Sequence, residues 1–239
     1  MITGRRLGLF GGTFDPVHIG HLAAAEAVRD ALRLDEVWLL ASHVPPHRPQ
    51  PAASVHHRFA MVALAVQDRS ALRASDFELL AAGPSYTSAT LSRLHAAGWG
   101  PSQLFFIAGA DAFAEIATWR DYPHFLDAAH FVVVNRGGRS PDPAAAAAAA
   151  AGRRVRAVRQ GMSSDVEDGQ TPAVFLVDHA TPDVSSTTIR DRASRGLPVA
   201  GMVPRPVERH IRRHGLYVPG DGTPVEPLTA SLLHEQEHH

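Results

Sequence analysis

Six short apolar runs, at residues 6–10, 36–41, 72–75, 104–108, 130–135 and 174–177, constrain the fold of this chain more than any other feature. Their Val, Ile, Leu and Phe content without polar alternation is how strands read when both faces of the sheet are covered. Stretches of helical period separate them, at 19–32, 55–66, 87–97, 112–116, 186–195 and 206–214. Alternating strands and helices predict a doubly wound α/β fold, a parallel sheet with helices on both faces. In such sheets ligands collect beyond the carboxyl ends of the strands, where the strand order reverses.

The richest segment of that kind is Gly11-Gly12-Thr13-Phe14-Asp15-Pro16-Val17-His18-Ile19-Gly20-His21. It follows the first apolar run and enters the first helix, an order that aims backbone N–H groups and a helix N-terminus at an anion. Gly11 and Gly12 permit backbone angles closed to other residues and leave room for a phosphate. His18 and His21 are three apart, so at a helix start they share one face. Taken singly, a Gly-Gly turn and a His-x-x-His pair are compatible with structural roles, and the pair with a third ligand is compatible with zinc. Their joint occurrence favours phosphate. Asp15, before Pro16, is expected to shape the turn.

A second polar segment, Ser185-Ser186-Thr187-Thr188-Ile189-Arg190, opens a late helix. One hydroxyl suffices to cap a helix; four followed by an arginine offer a polyphosphate more donors than a cap needs. Between the two lie a proline-rich loop at 43–51, Gly109-Ala110-Asp111 after the fourth run and Asn135-Arg136 after the fifth. All follow predicted strands, so they should converge on one cleft.

Composition excludes several classes. The 239 residues suffice for a full core, since a fold of this size hides roughly 70–75% of its extended surface. We expect one domain over 1–218, with a small helical part at about 185–214, and a poorly ordered tail over 219–239. A formal charge of −1 argues against a nucleic-acid partner, because no basic excess is available to displace counterions. Without cysteine there is no disulfide framework and no thiolate metal site or nucleophile. No apolar stretch reaches membrane-spanning length, and the N-terminal run is too brief for a signal peptide core, so a cytoplasmic protein without membrane contact is expected. The alanine run at 144–151 reads as a surface helix. Oligomeric state is left open, a homo-oligomer included.

The two polar segments together resemble the nucleotidyltransferase superfamily, with its His-x-x-His loop at the front and Ser-x-Thr-x-x-Arg segment at the back. Class I aminoacyl-tRNA synthetases share the front element, but the Lys-Met-Ser-Lys-Ser loop they need is absent here. Within the superfamily the chain most resembles the bacterial nicotinate-nucleotide adenylyltransferases over most of residues 5–218. The resemblance rests on the front segment, Val44-Pro45-Pro46-His47-Arg48-Pro49, Pro84-Ser85-Tyr86-Thr87, Gly109-Ala110-Asp111, Trp119, Asn135-Arg136 and the stretch Ser185 to Arg190. Val184 stands where the family usually has Ile, and Arg48 where many members have Lys, although an Arg fork and a Lys point charge are not interchangeable.

The resemblance implies a Rossmann-like nucleotidyltransferase fold and transfer of AMP from ATP to nicotinic acid mononucleotide, in NAD biosynthesis. It makes His18, His21, Arg48 and Arg190 the catalytic set, neutralising the α-phosphate and the departing pyrophosphate. It places ATP against Gly11, Gly12, Thr13, Phe14, Gly109, Asp111, Ser185, Ser186 and Thr187. The mononucleotide falls to His47, Tyr86, Thr87, Trp119 and Arg136, with Trp119 stacked on the pyridine ring and Thr87 at its carboxylate. Mg²⁺ would arrive on the phosphates without a dedicated protein cage. An adenylyltransferase for nicotinamide mononucleotide or phosphopantetheine, and a nucleotide-sensing module without catalysis, are the alternatives.

Overall fold

A computed structural model describes residues 4–43, 50–80, 83–134, 151–159, 171–179 and 181–218. In chain order its main elements are β1 (Leu7–Gly12), α1 (Ile19–Leu32), β2 (Glu36–Ala41), α2 (Val55–Val66), β3 (Leu72–Ser75) and α3 (Thr87–Ala96). After these come β4 (Leu104–Gly109), α4 (Ala110–Phe113), β5 (His130–Val134), β6 (Val155–Arg159) and β7 (Val174–Asp178), then α5 (Ser186–Ser194) and α6 (Arg205–Arg213). The strands form one sheet in the order β3-β2-β1-β4-β5-β7-β6, and every pairing is parallel. From β1 the chain winds outward to β3 and then returns to place β4 on the other side of β1. The strand order therefore reverses between β1 and β4.

Alternate residues of each strand feed two separate cores. Phe10, Phe105, Ile107, Val132 and Phe175 face the side covered by α1, α2, α5 and α6. Leu9, Phe106, Phe131, Val133 and Leu176 face the side covered by α3 and the short helical turns after β4. Both faces are apolar because both are covered, which is why these strands lack polar alternation. α1 buries Leu22, Ala25, Val28 and Leu32 at helical spacing, and ends at Arg33, whose left-handed backbone returns an N–H to the Arg29 carbonyl. α2 starts on a Ser54 cap that accepts from the His57 N–H.

Three expectations change. β1 does not stop at Phe10: Gly11 and Gly12 pair with Leu40 and Ala41, so the glycines end the strand and the turn begins at Thr13. β6 is an additional edge strand, where two arginines interrupt Val-Arg-Ala-Val-Arg and hide it from a search for continuous apolar runs. The helix expected at 112–116 is a single turn at Ala110–Phe113 followed by a 3₁₀ turn at Ile116–Thr118. The alanine run up to residue 150 and the tail beyond 218 lie outside the described residues. Among those described, no helix is long and apolar enough to cross a membrane.

Candidate active site

At the reversal point, Gly12 ends β1 and Gly109 ends β4, and a cavity of about 660 Å³ opens above them. Gly11 and Gly12 are there for close approach and not for unusual backbone angles, since neither has a positive φ. A Cβ on Gly12 would lie 2.9 Å from the Phe14 ring, and one on Gly11 3.1 Å from Phe106. The left-handed residue of the turn is Phe14, at φ 49°.

Every described residue assigned above to a ligand lines this one cavity: His18, His21, Arg190, the 11–14 turn, Gly109, Asp111, Ser185, Ser186, Thr187, Tyr86, Thr87 and Trp119. His47, Arg48 and Arg136 lie outside the described residues. The His18 and His21 rings stack, 3.7 Å between centroids and 28° between planes. The His18 N–H donates to Nδ1 of His21 at 3.2 Å. That bond assigns the proton of a neutral His21 ring to Nε2, making it a hydrogen-bond donor. Phe14 meets His21 edge-on at 5.1 Å and limits the positions the imidazole can take.

Three helices begin at this cavity. Gly20 and His21 in the first turn of α1, Tyr86 and Thr87 at the start of α3, and Ser185 to Thr187 at the start of α5 all line it. None of the three has an acidic residue in its first turn. Each N-terminus carries about half a positive charge, and in α1 and α5 part of the first turn is already satisfied, the Ile19, His21 and Thr188 N–H groups donating to the Met202 carbonyl, the His18 carbonyl and Ser185 Oγ. Converging on one void, the three N-termini make it a receptor for anionic groups.

The serines contribute differently from the expectation. Ser185 is a cap whose Oγ accepts from the Thr188 N–H, and the Ser186 hydroxyl donates to the Pro16 carbonyl. The Ser186 proton is therefore committed to Pro16, while Ser185 Oγ, which also lies 2.8 Å from Thr188 Oγ1, accepts from the main chain without spending its own proton there. Arg190 is partly committed too: Nη1 donates to the Asp15 carbonyl at 2.8 Å and Nη2 to Thr187 Oγ1 at 3.3 Å. The residue also lines the cavity.

At the opposite end Trp119 is half-buried, parallel to Phe125 and edge-on to Phe106, with centroids 6.0 Å away in both cases. The Arg120 guanidinium lies 4.9 Å over the Tyr86 ring. Ser85 Oγ accepts from the His43 N–H at 2.8 Å, tying the start of the proline-rich loop to the α3 entrance.

Sequence reasoning missed Glu78 and Ser42 on the same wall. Glu78 is buried, and burial holds its carboxyl above the usual carboxylate range against the opposing hydrogen bonds of Ser85 and Thr90. Both residues follow carboxyl ends of strands, β2 and β3, so the rule that located the other loops applied to them as well. Among the described residues no three His, Asp or Glu side chains form a cage for a metal ion. The cavity-lining carboxylates Asp111 and Glu115 are exposed. This donor set fits a hard cation that arrives with phosphate oxygens and water.

Residues 9–192 match the cytidylyltransferase-like family. A probable nicotinate-nucleotide adenylyltransferase of Desulfatibacillum aliphaticivorans is 38% identical over 221 residues, covering 89% of this chain and all of the relative. One from Pseudomonas syringae pv. tomato is 40% identical over 222 residues, 92% of this chain and 98% of that one. In fold the chain is similar to a solved Plasmodium falciparum nicotinic acid mononucleotide adenylyltransferase, with a TM-score of 0.68 at 14% identity, covering 89% of this chain and 97% of that one. The chain thus belongs to the cytidylyltransferase-like family and, within it, to the nicotinate-nucleotide adenylyltransferases.

Proposed function

We propose that this protein transfers AMP from ATP to nicotinic acid mononucleotide, forming nicotinic acid adenine dinucleotide and pyrophosphate, a step of NAD biosynthesis carried out in the cytoplasm where ATP is supplied. The observation that carries this reading is the convergence of three helix N-termini and the His18–His21 pair on one cavity. A phosphate oxygen of the mononucleotide attacks the α-phosphorus of ATP, the bond between that phosphorus and the α,β-bridging oxygen breaks, and pyrophosphate leaves. The nucleophile is already anionic at neutral pH, so no proton must be removed from it. What remains for the protein is alignment and neutralisation of charge.

In this mechanism His21 donates from Nε2 to a non-bridging α-phosphate oxygen, and His18 holds His21 in that tautomer. The α1 and α5 N-termini and the available N–H groups of Arg190 receive the triphosphate. Arg48 joins them from the proline-rich loop, and His47 and Arg136 meet the mononucleotide. Gly109 and Asp111 border the ribose. Asp111 and Glu115 are the exposed carboxylates of the cavity that Mg²⁺ arriving with the triphosphate would meet, and when bound it would lower the charge of the phosphates. The pyridine ring lies against Trp119, and its carboxylate accepts from Thr87 and the N–H groups opening α3.

One observation favours a second reading, in which the amide mononucleotide is used: Glu78 lines the same wall and would repel a carboxylate if ionised. Dinucleotide formation from ATP and Mg²⁺, measured in parallel with the acid and amide mononucleotides, decides between them. A carboxylate only accepts hydrogen bonds, whereas an amide brings N–H donors toward a pocket of donors. A wide preference for the acid is expected; equal use of the amide would remove the carboxylate pocket, and no product from either would remove the reaction.

A further inference from the structure

The chemistry proposed above needs donors from two parts of the chain more than 160 residues apart in sequence, the His18–His21 turn and the 185–190 segment, held at a fixed separation. The sheet alone does not hold it, since both segments lie in loops and helix starts beyond the strands. Asp15 sits where they meet, 5% exposed. Its Oδ2 accepts from the Ala52 N–H at 2.7 Å, and its Oδ1 from the Ala53 N–H at 3.1 Å and from the Tyr217 hydroxyl at 2.8 Å. Its main-chain carbonyl accepts from Arg190 at 2.8 Å. One residue thus joins the turn to the end of the proline-rich loop, to α5 and to the segment after α6.

A buried carboxylate is a costly way to shape a turn, because taking the charge out of water costs several kcal/mol unless compensated. Arg58, 1% exposed, supplies compensating charge while donating to the Thr13, Ser42, His43 and Ala53 carbonyls. The other end of the contact carries strain. Tyr217 has φ 69°, a left-handed backbone that non-glycine residues keep only where their surroundings impose it. Burial and the Asp15 charge hold its phenol above the usual range, so the hydroxyl stays a donor.

We propose that Asp15, fixed from behind by Tyr217, is the positioning residue that sets the phosphate-binding turn against Arg190. This rests on the adenylyl-transfer reading of the cavity. Asp15 borders the cavity, but its carboxylate is engaged with the Ala52 and Ala53 N–H groups and the Tyr217 hydroxyl, so in this proposal both residues act through the main chain between Thr13 and His18.

Tyr217→Phe removes the hydroxyl and keeps the ring, so it tests the contact without opening the core. Misplacing a catalytic group by about 1 Å costs on the order of 10²-fold, and a turnover loss of about 10–100-fold is expected, measured well below the melting temperature, with the mononucleotide KM unchanged. Asp15→Asn should show the same split. The double variant should be no worse than the poorer single one, because the two residues act as one unit. Wild-type turnover in Tyr217→Phe, whatever its melting temperature, would overturn the inference, as would fully multiplicative losses. Calorimetric ATP affinity separates this from the reading beneath it. If the wild type forms no dinucleotide, that reading fails, while weaker ATP binding in Tyr217→Phe still supports the positioning role and unchanged binding refutes it.

Discussion

His18 and His130 are the two buried histidines among the described residues, 2% and 0% exposed, and they lie at opposite ends of the same sheet. His18 stands beyond the carboxyl end of β1, stacked on His21 beside the cavity. His130 begins β5 at the amino end, stacked on Phe105 at 4.7 Å with the edge of Phe175 at 5.5 Å, its Nδ1 accepting from the Ala173 N–H. Both are enclosed, but His18 lines the cavity and His130 does not. Burial of a histidine is therefore no sign of chemistry; what distinguishes the two is the void beside the ring and the helix N-termini that open onto it.

If that distinction is right, the largest effect of any single histidine substitution on turnover belongs to the cavity pair. His21→Ala should lower kcat by about 10²–10³-fold, as removal of one preorganised donor to a developing charge does, with a much smaller change in ATP affinity. Steady-state kinetics with calorimetric ATP binding would check this. Near-normal turnover would take His21 out of the mechanism and leave the pair no different in kind from His130.

The amino-end histidine should show itself in stability. Burial first, and then the positive charges of Arg156, Arg6 and Arg154, lower its pKa from 6.5 to about 4. The folded protein thus keeps His130 neutral where the unfolded chain takes up a proton. Its contribution is complete above pH 6.5, declines as pH falls from 6.5 toward about 4, and is level below that. At about 1.4 kcal/mol per pH unit the lost stability is on the order of 3 kcal/mol. His130→Asn offers an amide oxygen to the Ala173 N–H and does not titrate. The stability gap between wild type and this variant, from urea unfolding, should narrow by that order between pH 7 and pH 4. His57 and His210, also held low by burial, titrate in both proteins and cancel. Parallel stability curves would mean that His130 is not kept neutral by the fold.

The same contrast marks how much was legible in the sequence. The five inner strands were visible because two-sided burial leaves an apolar run, whereas the edge strand β6 was not, because arginines interrupt it; β3, the other edge, was found although it reads Leu-Arg-Ala-Ser. The loops at the carboxyl ends were visible because glycines, histidines and hydroxyls are conspicuous next to such runs. Asp15 was recognised as a turn residue, but its partners Ala52, Tyr217 and Arg58 are far away in sequence, and no local pattern announces them. The fifteen histidines carry no local mark that separates His18 from His130, apart from the companion at His21. The serine hydroxyls were assigned to phosphate because four in a row exceed a cap, and the fold engages two of them with Thr188 and Pro16.

Trp119 belongs to both regions at once, and its substitution should give the smallest of the three effects. Its ring lies parallel to Phe125, at the margin of the core, while it also lines the cavity. A flat face is worth roughly 1–3 kcal/mol to a stacked base, and stacking is indifferent to the group the ring carries. Trp119→Ala should accordingly raise the KM for the acid and amide mononucleotides by similar factors, about 5–150-fold by that range, and leave ATP affinity unchanged. Trp119→Phe, which keeps a flat ring, should recover most of the loss. Packing on Phe125 will cost the alanine variant some melting temperature as well, so melting alone decides nothing. Should Trp119→Ala melt earlier yet keep both KM values, the indole is a core residue like His130; should only the acid suffer, discrimination would lie with the indole and not with Thr87.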